Sequence, residues 1–205
     1  MNTYSQDKQD IFIYENFFKD KKDGFFIEIG ANDGITLSNT LLFEKEGWNG
    51  ICIEPILTSY EKLIKNRICK CIHGVIGNTD NDVDFLEVSG YAEMLSGILS
   101  EYNLEHLNRV NREISIFGGN KRVTKIKSYL FNNIITEKKI DYLSIDVEGG
   151  EFSILKNIDF NKYDITIISV ENNYNDINII NFLNDNGYIL ITTLGADNIF
   201  KKNKI

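Results

Sequence analysis

The chain has 205 residues with 22 basic and 30 acidic side chains, a net charge of −8. That length suits one domain with a sizeable core, and the negative field disfavours a polyphosphate partner, which argues against general nucleic-acid binding. No apolar run is long enough for a membrane span, and the start "MNTYSQDKQD" lacks a secretory apolar core, so the expectation is a cytoplasmic protein.

A single domain over residues 1–205 is expected, and its elements follow in chain order. Residues 5–23 hold an N-terminal helix, with Ile11, Tyr14, Phe17 and Phe18 at helical spacing and Ser5 as N-cap. "FFIEIG" (25–30) reads as a buried strand. Residues 38–47 form a helix opened by Ser38 and closed by Gly47. "GICIEP" (50–55) is a strand stopped by Pro55, 59–67 a helix, 69–77 a strand and 82–88 another. Residues 89–122 show no clean period and are read as a mobile segment with some helix, a lid over an acceptor. A helical pattern resumes at 129–135. Then come a strand (141–146), a helix (150–158), a strand (164–171), a helix (177–187) and two strands within 188–203 joined by Gly195-Ala196.

Strand and helix alternate through most of the chain. This predicts an α/β three-layer sandwich, a mostly parallel sheet with a C-terminal antiparallel hairpin. Ligands in such sheets gather at the carboxyl ends of the strands. The first of those ends is Gly30-Ala31-Asn32-Asp33-Gly34, with Glu28 just before it. A dinucleotide fingerprint needs one more glycine, and Asp33 would face the phosphates. Two like charges in contact at an effective dielectric of about 20 repel by roughly 4 kcal/mol. A cation reverses that sign. S-adenosylmethionine carries a sulfonium and an ammonium but no phosphate, and acidic-x-Gly-x-x-x-Gly (Glu28, Gly30, Gly34) is its usual signature; a plain strand-to-helix turn is the alternative. Glu54 ends the second strand, where a carboxylate takes the ribose hydroxyls of an adenosine cofactor. Val75 and Ile76, ending the third, would line the adenine.

Taken together, Gly-Ala-x-Asp-Gly (30–34), Ser-Asn-Thr (38–40), Gly-Trp-x-Gly (47–50), Glu-Pro (54–55) and Asp-Val-Glu-Gly-x-Glu (146–151) resemble the FkbM family of S-adenosylmethionine-dependent methyltransferases. The resemblance covers most of residues 5–67 and 123–160. It implies a Rossmann-like sheet of seven strands and methyl transfer to oxygen, on sugars or other hydroxylated natural products. Glu28, Gly30, Ala31, Asn32, Asp33, Gly34, Ser38, Glu54, Pro55, Val75 and Ile76 are the candidate cofactor-binding residues.

An acceptor alcohol needs a base, a metal or both. Asp146 ends its strand, with Glu148 and Glu151 over the following turn, and these three are the catalytic candidates. Glu151 alternatively serves a helix N-terminus. Glu171 and Asn172 end the neighbouring strand. With Asp146 they form an oxygen-ligand set suited to Mg²⁺ or Mn²⁺, by analogy with catechol-type O-methyltransferases; polar strand ends bonding to loops are the bland alternative. His73 reads as structural. His106 reads as a surface helix residue, with a general base as the other possibility. Arg109, Arg112, Lys121 and Arg122 give residues 89–122 a basic character, either solvated or facing an anionic acceptor. Tyr91, Met94 and Phe117 are candidates for stacking on a sugar ring. Cys52, Cys69 and Cys71 match no zinc spacing, a disulfide framework is not expected, and Cys52 reads as core. The leading reading is an O-methyltransferase of a sugar or glycan. A polyketide-like or other small acceptor, a non-catalytic binding module and a dinucleotide oxidoreductase follow.

Overall fold

The computed structural model describes residues 2–203; Met1, Lys204 and Ile205, at the ends of the expected 1–205 domain, lie outside the described residues. A seven-stranded sheet organises the chain. Its strands are β1 (Phe25–Ile29), β2 (Asn49–Glu54), β3 (Lys70–His73), β8 (Lys139–Ile145), β9 (Asp164–Glu171), β10 (Tyr188–Leu194) and β11 (Asp197–Lys202). They lie in the order β10-β11-β9-β8-β1-β2-β3. The five strands from β9 to β3 run parallel, and β11 joins antiparallel between β9 and β10, so the sheet is mixed.

Successive strand residues face opposite sides, and the sequence fills both sides with apolar groups, as an internal parallel sheet requires. Ile27, Ile51, Ile53, Leu143, Ile145 and Ile168 join one core cluster with Ile154 and Leu155 of α6 (Glu151–Lys156) and Ile179 and Leu183 of α7 (Ile177–Asp185). Phe26, Cys52 and Tyr142 point the other way. They meet Ile13 of α1 (Gln9–Ile13), Leu42 and Phe43 of α2 (Leu41–Lys45) and Leu63 of α3 (Leu57–Asn66). Two helical layers thus cover the sheet.

Several expectations need correction. The N-terminal helix begins at Gln9, not Ser5, and widens into a π-helical turn over Tyr14–Phe18. Ser5 instead bridges to Leu37 and donates its hydroxyl to Asp10 Oδ1 at 2.7 Å. The expected strand 69–77 breaks at Gly74. Val75–Ile76 (β4) leaves the main sheet for a second one, ordered β4-β7-β5-β6, with β5 at Asp82–Ser89, β6 at Gly97–Ile98 and β7 at Asn120–Tyr129. Gly74 lies at φ 144°, and a Cβ there would come within 2.6 Å of the Lys127 carbonyl, so only glycine allows this crossing. β7 was not foreseen. Its apolar residues Val123 and Ile126 are out of phase for a strand, and its pairing with β5 matches charges instead: Arg122 with Glu87 and Lys125 with Asp84.

Residues 89–122 are also more ordered than expected. Asn103 caps the 14-residue α4 (Leu104–Phe117), accepting from the His106 amide at 2.8 Å. Val110, Leu107 and Ile114 of α4 pack on Leu86, Val88 and Leu95. No helix among the described residues is long and apolar enough to cross a membrane.

Candidate active site

A cavity of about 400 Å³ opens where β1, β2, β8 and β9 end and the second sheet faces them. The turn after β1 forms one wall. Gly30, at φ 89°, lies so close to β8 that a Cβ would stand 1.7 Å from the Asp146 carbonyl oxygen, which forces glycine here. Asn32 adopts a left-handed φ of 48° and gives its amide to Glu54 Oε2 at 2.8 Å. Glu54 Oε1 accepts from the Ile56 amide at 2.7 Å, so one carboxylate ties the loops after β1 and β2 together. Glu54 is buried, and burial, only partly opposed by the Ile56 and Asn32 amides, raises its pKa to about 7. Asp33 Oδ1 accepts from the Ile35 and Thr36 amides at 2.9 and 2.7 Å; against the effect of burial, these bonds hold its carboxyl below the ordinary range.

The opposite wall is acidic. Asp146 follows β8, Glu171 ends β9, and Glu148 sits in the turn between β8 and α6 at a left-handed φ of 57°. Their carboxylate oxygens lie within 4.8 Å of one another. Burial and mutual repulsion push Glu148 and Glu171 up to about 8 and raise Asp146 well above its ordinary value. Glu148 Oε2 is buried and makes no hydrogen bond. Behind it stand Arg109 Nη1 at 3.6 Å and His106 Nδ1 at 3.9 Å. His106 is fully buried, and its Nε2 lies 3.2 Å from the Leu95 carbonyl, which can only accept. Nε2 therefore carries the proton, and Nδ1 accepts from the Tyr174 hydroxyl at 3.0 Å. Asp33, Glu54, Glu93, Asp146, Glu148 and Glu171 line the cavity, against a single lysine, Lys62. Asn32, Leu37 and Glu148, three of the five non-glycine residues with positive φ among those described, line it as well. Strained backbone concentrates where a site must be shaped.

Against this geometry, the Methyltransferase FkbM domain pattern matches residues 28–190, most of the chain. The chain belongs to the FkbM methyltransferase family. The crystal structure of methyltransferase FkbM from Methylobacillus flagellatus KT shares the fold at 12% identity and a TM-score of 0.50, covering 91% of this chain. This FkbM domain spans 46% of that protein's length. M. capricolum TrmK, solved with S-adenosyl-homocysteine, is similar at 13% identity and a TM-score of 0.45, over 89% of this chain and 64% of its own. No curated protein matches at the sequence level.

Within this FkbM domain the structure sorts the residues singled out from sequence. Gly30, Asn32, Asp33, Glu54, Pro55, Val75, Ile76, Asp146, Glu148 and Glu171 all line the cavity. Glu28, Ala31, Gly34 and Ser38 do not. Glu28 lies beneath the loop, accepting from Ser38 Oγ, the Asn39 amide and Thr40 Oγ1, with Arg67 Nη1 at 3.2 Å. Ser38 serves the same network, Ala31 packs into the core, and Gly34 leaves space for Arg67. The Ser-Asn-Thr motif is therefore a seat for a buried carboxylate. Glu151 points back to the Val147 and Gly149 amides at 3.2 and 3.0 Å, the helix-start position that is its alternative reading. Asn172, the third member of the expected metal set, is engaged by the protein. Its amide bonds to Asn198 and to the backbone of Asp176, and Glu148 converges with Asp146 and Glu171.

His106 is neither a surface residue nor free to act as a base. The basic side chains of 89–122 are largely paired: Arg109 with Glu113 and Glu148, Arg122 with Glu87, Lys121 with Asn111. Tyr91 and Met94 do reach the cavity, and Phe117 packs on Tyr91 with ring centroids 4.2 Å apart. Sequence reasoning missed Arg67, the fully buried cation that pairs with both Glu28 and Glu44. Nothing in "KNRI" marks one basic residue of several as the buried one.

Proposed function

We propose that this chain is an S-adenosylmethionine-dependent O-methyltransferase acting on a hydroxyl of a sugar or glycan, assisted by a divalent metal ion. One observation carries the choice of cofactor: six carboxyl side chains and one lysine line the cavity. That field favours a sulfonium and an ammonium, and repels the diphosphate of a dinucleotide. S-adenosylmethionine supplies a methyl group on a positively charged sulfur that leaves readily. Glu54, at the end of β2, is the residue for the ribose hydroxyls, using the lone pairs left free by the Asn32 and Ile56 amides. Val75 and Ile76 offer an apolar surface for the adenine, and the acidic wall faces the cationic centres.

The residues Asp146, Glu148 and Glu171 fit a hard divalent cation. Three converging carboxyl groups, one with a buried oxygen lacking any hydrogen bond, form an oxygen-donor set for such a cation. A bound Mg²⁺ or Mn²⁺ supplies a Lewis acid that lowers the pKa of an acceptor hydroxyl. Glu148 and Glu171, both pushed up to about 8, hold their protons below that pH and can take the departing proton only in their ionised form, which grows as pH rises toward 8. Tyr91 and Met94, between β5 and β6, and Phe117, at the end of α4, form an apolar rim where a sugar ring can stack. Residues 89–122 act as the acceptor lid, and the whole 1–205 segment as one transferase domain. The paired state of the basic residues favours a neutral acceptor over an anionic one.

Calorimetry with S-adenosylmethionine and NAD side by side tests the cofactor: binding of NAD alone overturns the reading. Labelled methyl donor offered with a glycan panel, with Mn²⁺ or with excess chelator, tests the rest. Label on a non-sugar acceptor favours the polyketide-like alternative, and full turnover by chelator-treated enzyme removes the metal.

A further inference from the structure

Beneath the glycine loop, away from the cavity, lies a thiol cluster that the transfer reaction does not use. Cys52 on β2 is fully buried, and Cys69 and Cys71, at the start of β3, are partly exposed. Cys52 and Cys71 are register partners in the sheet, and Cys69 is two residues before Cys71. Cys69 is the nearer in side-chain terms: its Sγ stands 3.5 Å from Cys52 Sγ, while Cys71 Sγ turns to the Cys69 carbonyl. The Cys69 amide is fixed by Glu44 Oε2 at 2.9 Å, and Glu44 is bound to Arg67, so the pair is held in place by a buried ionic network. Hydrogen bonds from the Cys52 and then the Cys71 thiols, against burial and with help from the Arg67 charge, hold the Cys69 thiol below its ordinary pKa. Burial, above all, keeps Cys52 protonated.

We propose that Cys52 and Cys69 form an oxidisable pair, in which Cys69 reacts with a small peroxide and Cys52 resolves the product to a reversible disulfide. The roles follow from access: Cys69 is partly exposed and open to a peroxide, whereas Cys52 is fully buried with the Cys69 sulfur against it. The Cys69 thiolate attacks one peroxide oxygen, the O–O bond breaks, and the other oxygen leaves as water after protonation. Cys69 is now a sulfenic acid. The Cys52 sulfur attacks Cys69 Sγ and gives up its proton, the S–O bond breaks, and a second water leaves. Two thiols are oxidised and one hydrogen peroxide is reduced to two waters. The pair also touches the loop's foundation, because Cys52 Sγ lies 3.7 Å from Glu28 Oε2. This inference stands apart from the proposed transfer reaction and does not depend on it.

The test treats the reduced full chain with hydrogen peroxide, blocks remaining thiols with iodoacetamide and maps peptides without reductant. The expected product has lost two hydrogens, links the Cys52 and Cys69 peptides, keeps Cys71 alkylated and reverts with dithiothreitol. Cys71→Ser should retain the link, and Cys69→Ser should abolish it. In Cys52→Ala, Cys69 should be trapped by dimedone as the sulfenic acid. A link through Cys71, or no link together with no dimedone adduct, overturns the proposal.

Discussion

Two clusters of buried charge lie on either side of the glycine loop, and they are built to opposite rules. Below the loop, Arg67 is surrounded by Glu28 and Glu44, with Thr40, Ser38 and the Gly34 carbonyl taking its other donors. Charges there are paired and hydrogen-bonded, the condition under which burial is tolerable. Above the loop, Asp146, Glu148 and Glu171 converge, with Arg109 3.6 Å and the His106 ring 3.9 Å from Glu148. The first cluster fixes the loop's shape. The second brings carboxyl groups together without enough cations to balance them, so they hold their protons to high pH, and it is there that the proposed function puts a ligand.

The largest effect expected is on turnover. Asp146→Asn should lower methyl transfer by roughly 10²–10⁴-fold, with the fold retained by circular dichroism; near-normal turnover would remove the acid cluster from the chemistry. Arg67→Met should instead destabilise the protein by about 3–5 kcal/mol, because Glu28 and Glu44 would be left buried without a partner. Urea titration measures this, and an unchanged midpoint would erase the distinction between the two clusters.

A third prediction concerns pH. Glu148 and Glu171 sit at about 8 and Glu54 at about 7, all above the ordinary 4.5. The folded state therefore keeps protons that the unfolded chain releases. This contribution is fully present below about pH 4.5, falls as pH rises, and is lost once pH passes through 7–8. Urea midpoints at pH 5.5 and 8.5 should show the fall, and Mn²⁺ should reverse it at the higher pH. Glu171→Gln should flatten the dependence. The smallest effect belongs to the surface: Lys125→Ala, breaking the exposed pair with Asp84, should change stability by less than about 0.5 kcal/mol. A larger change would mean that cross-strand charge, not packing, holds β7.

Much was legible in the sequence. The alternation of strands and helices, the closing hairpin and the strand-end positions of Glu54, Asp146 and Glu171 all follow from hydrophobic period and punctuation, which act locally. The second sheet was not legible. β7 carries no apolar alternation, since its partners on β5 satisfy it with carboxylates tens of residues away in the chain. The break at Gly74 looked like the middle of one strand because both halves are apolar.

By itself, the sequence determined the layered α/β plan and which strand ends carry acid, because each depends on near-neighbour patterns that survive without knowledge of the fold. Only the tertiary structure decided which acid does what. Glu28, Glu151 and Asn172 are turned inward to backbone amides or protein side chains, whereas Glu148 is turned toward Asp146 and Glu171. Sequence shows a carboxylate's position along the chain. Its charge balance is set by groups that meet only when distant segments pack, as Arg67 does with Glu28 and Arg109 with Glu148.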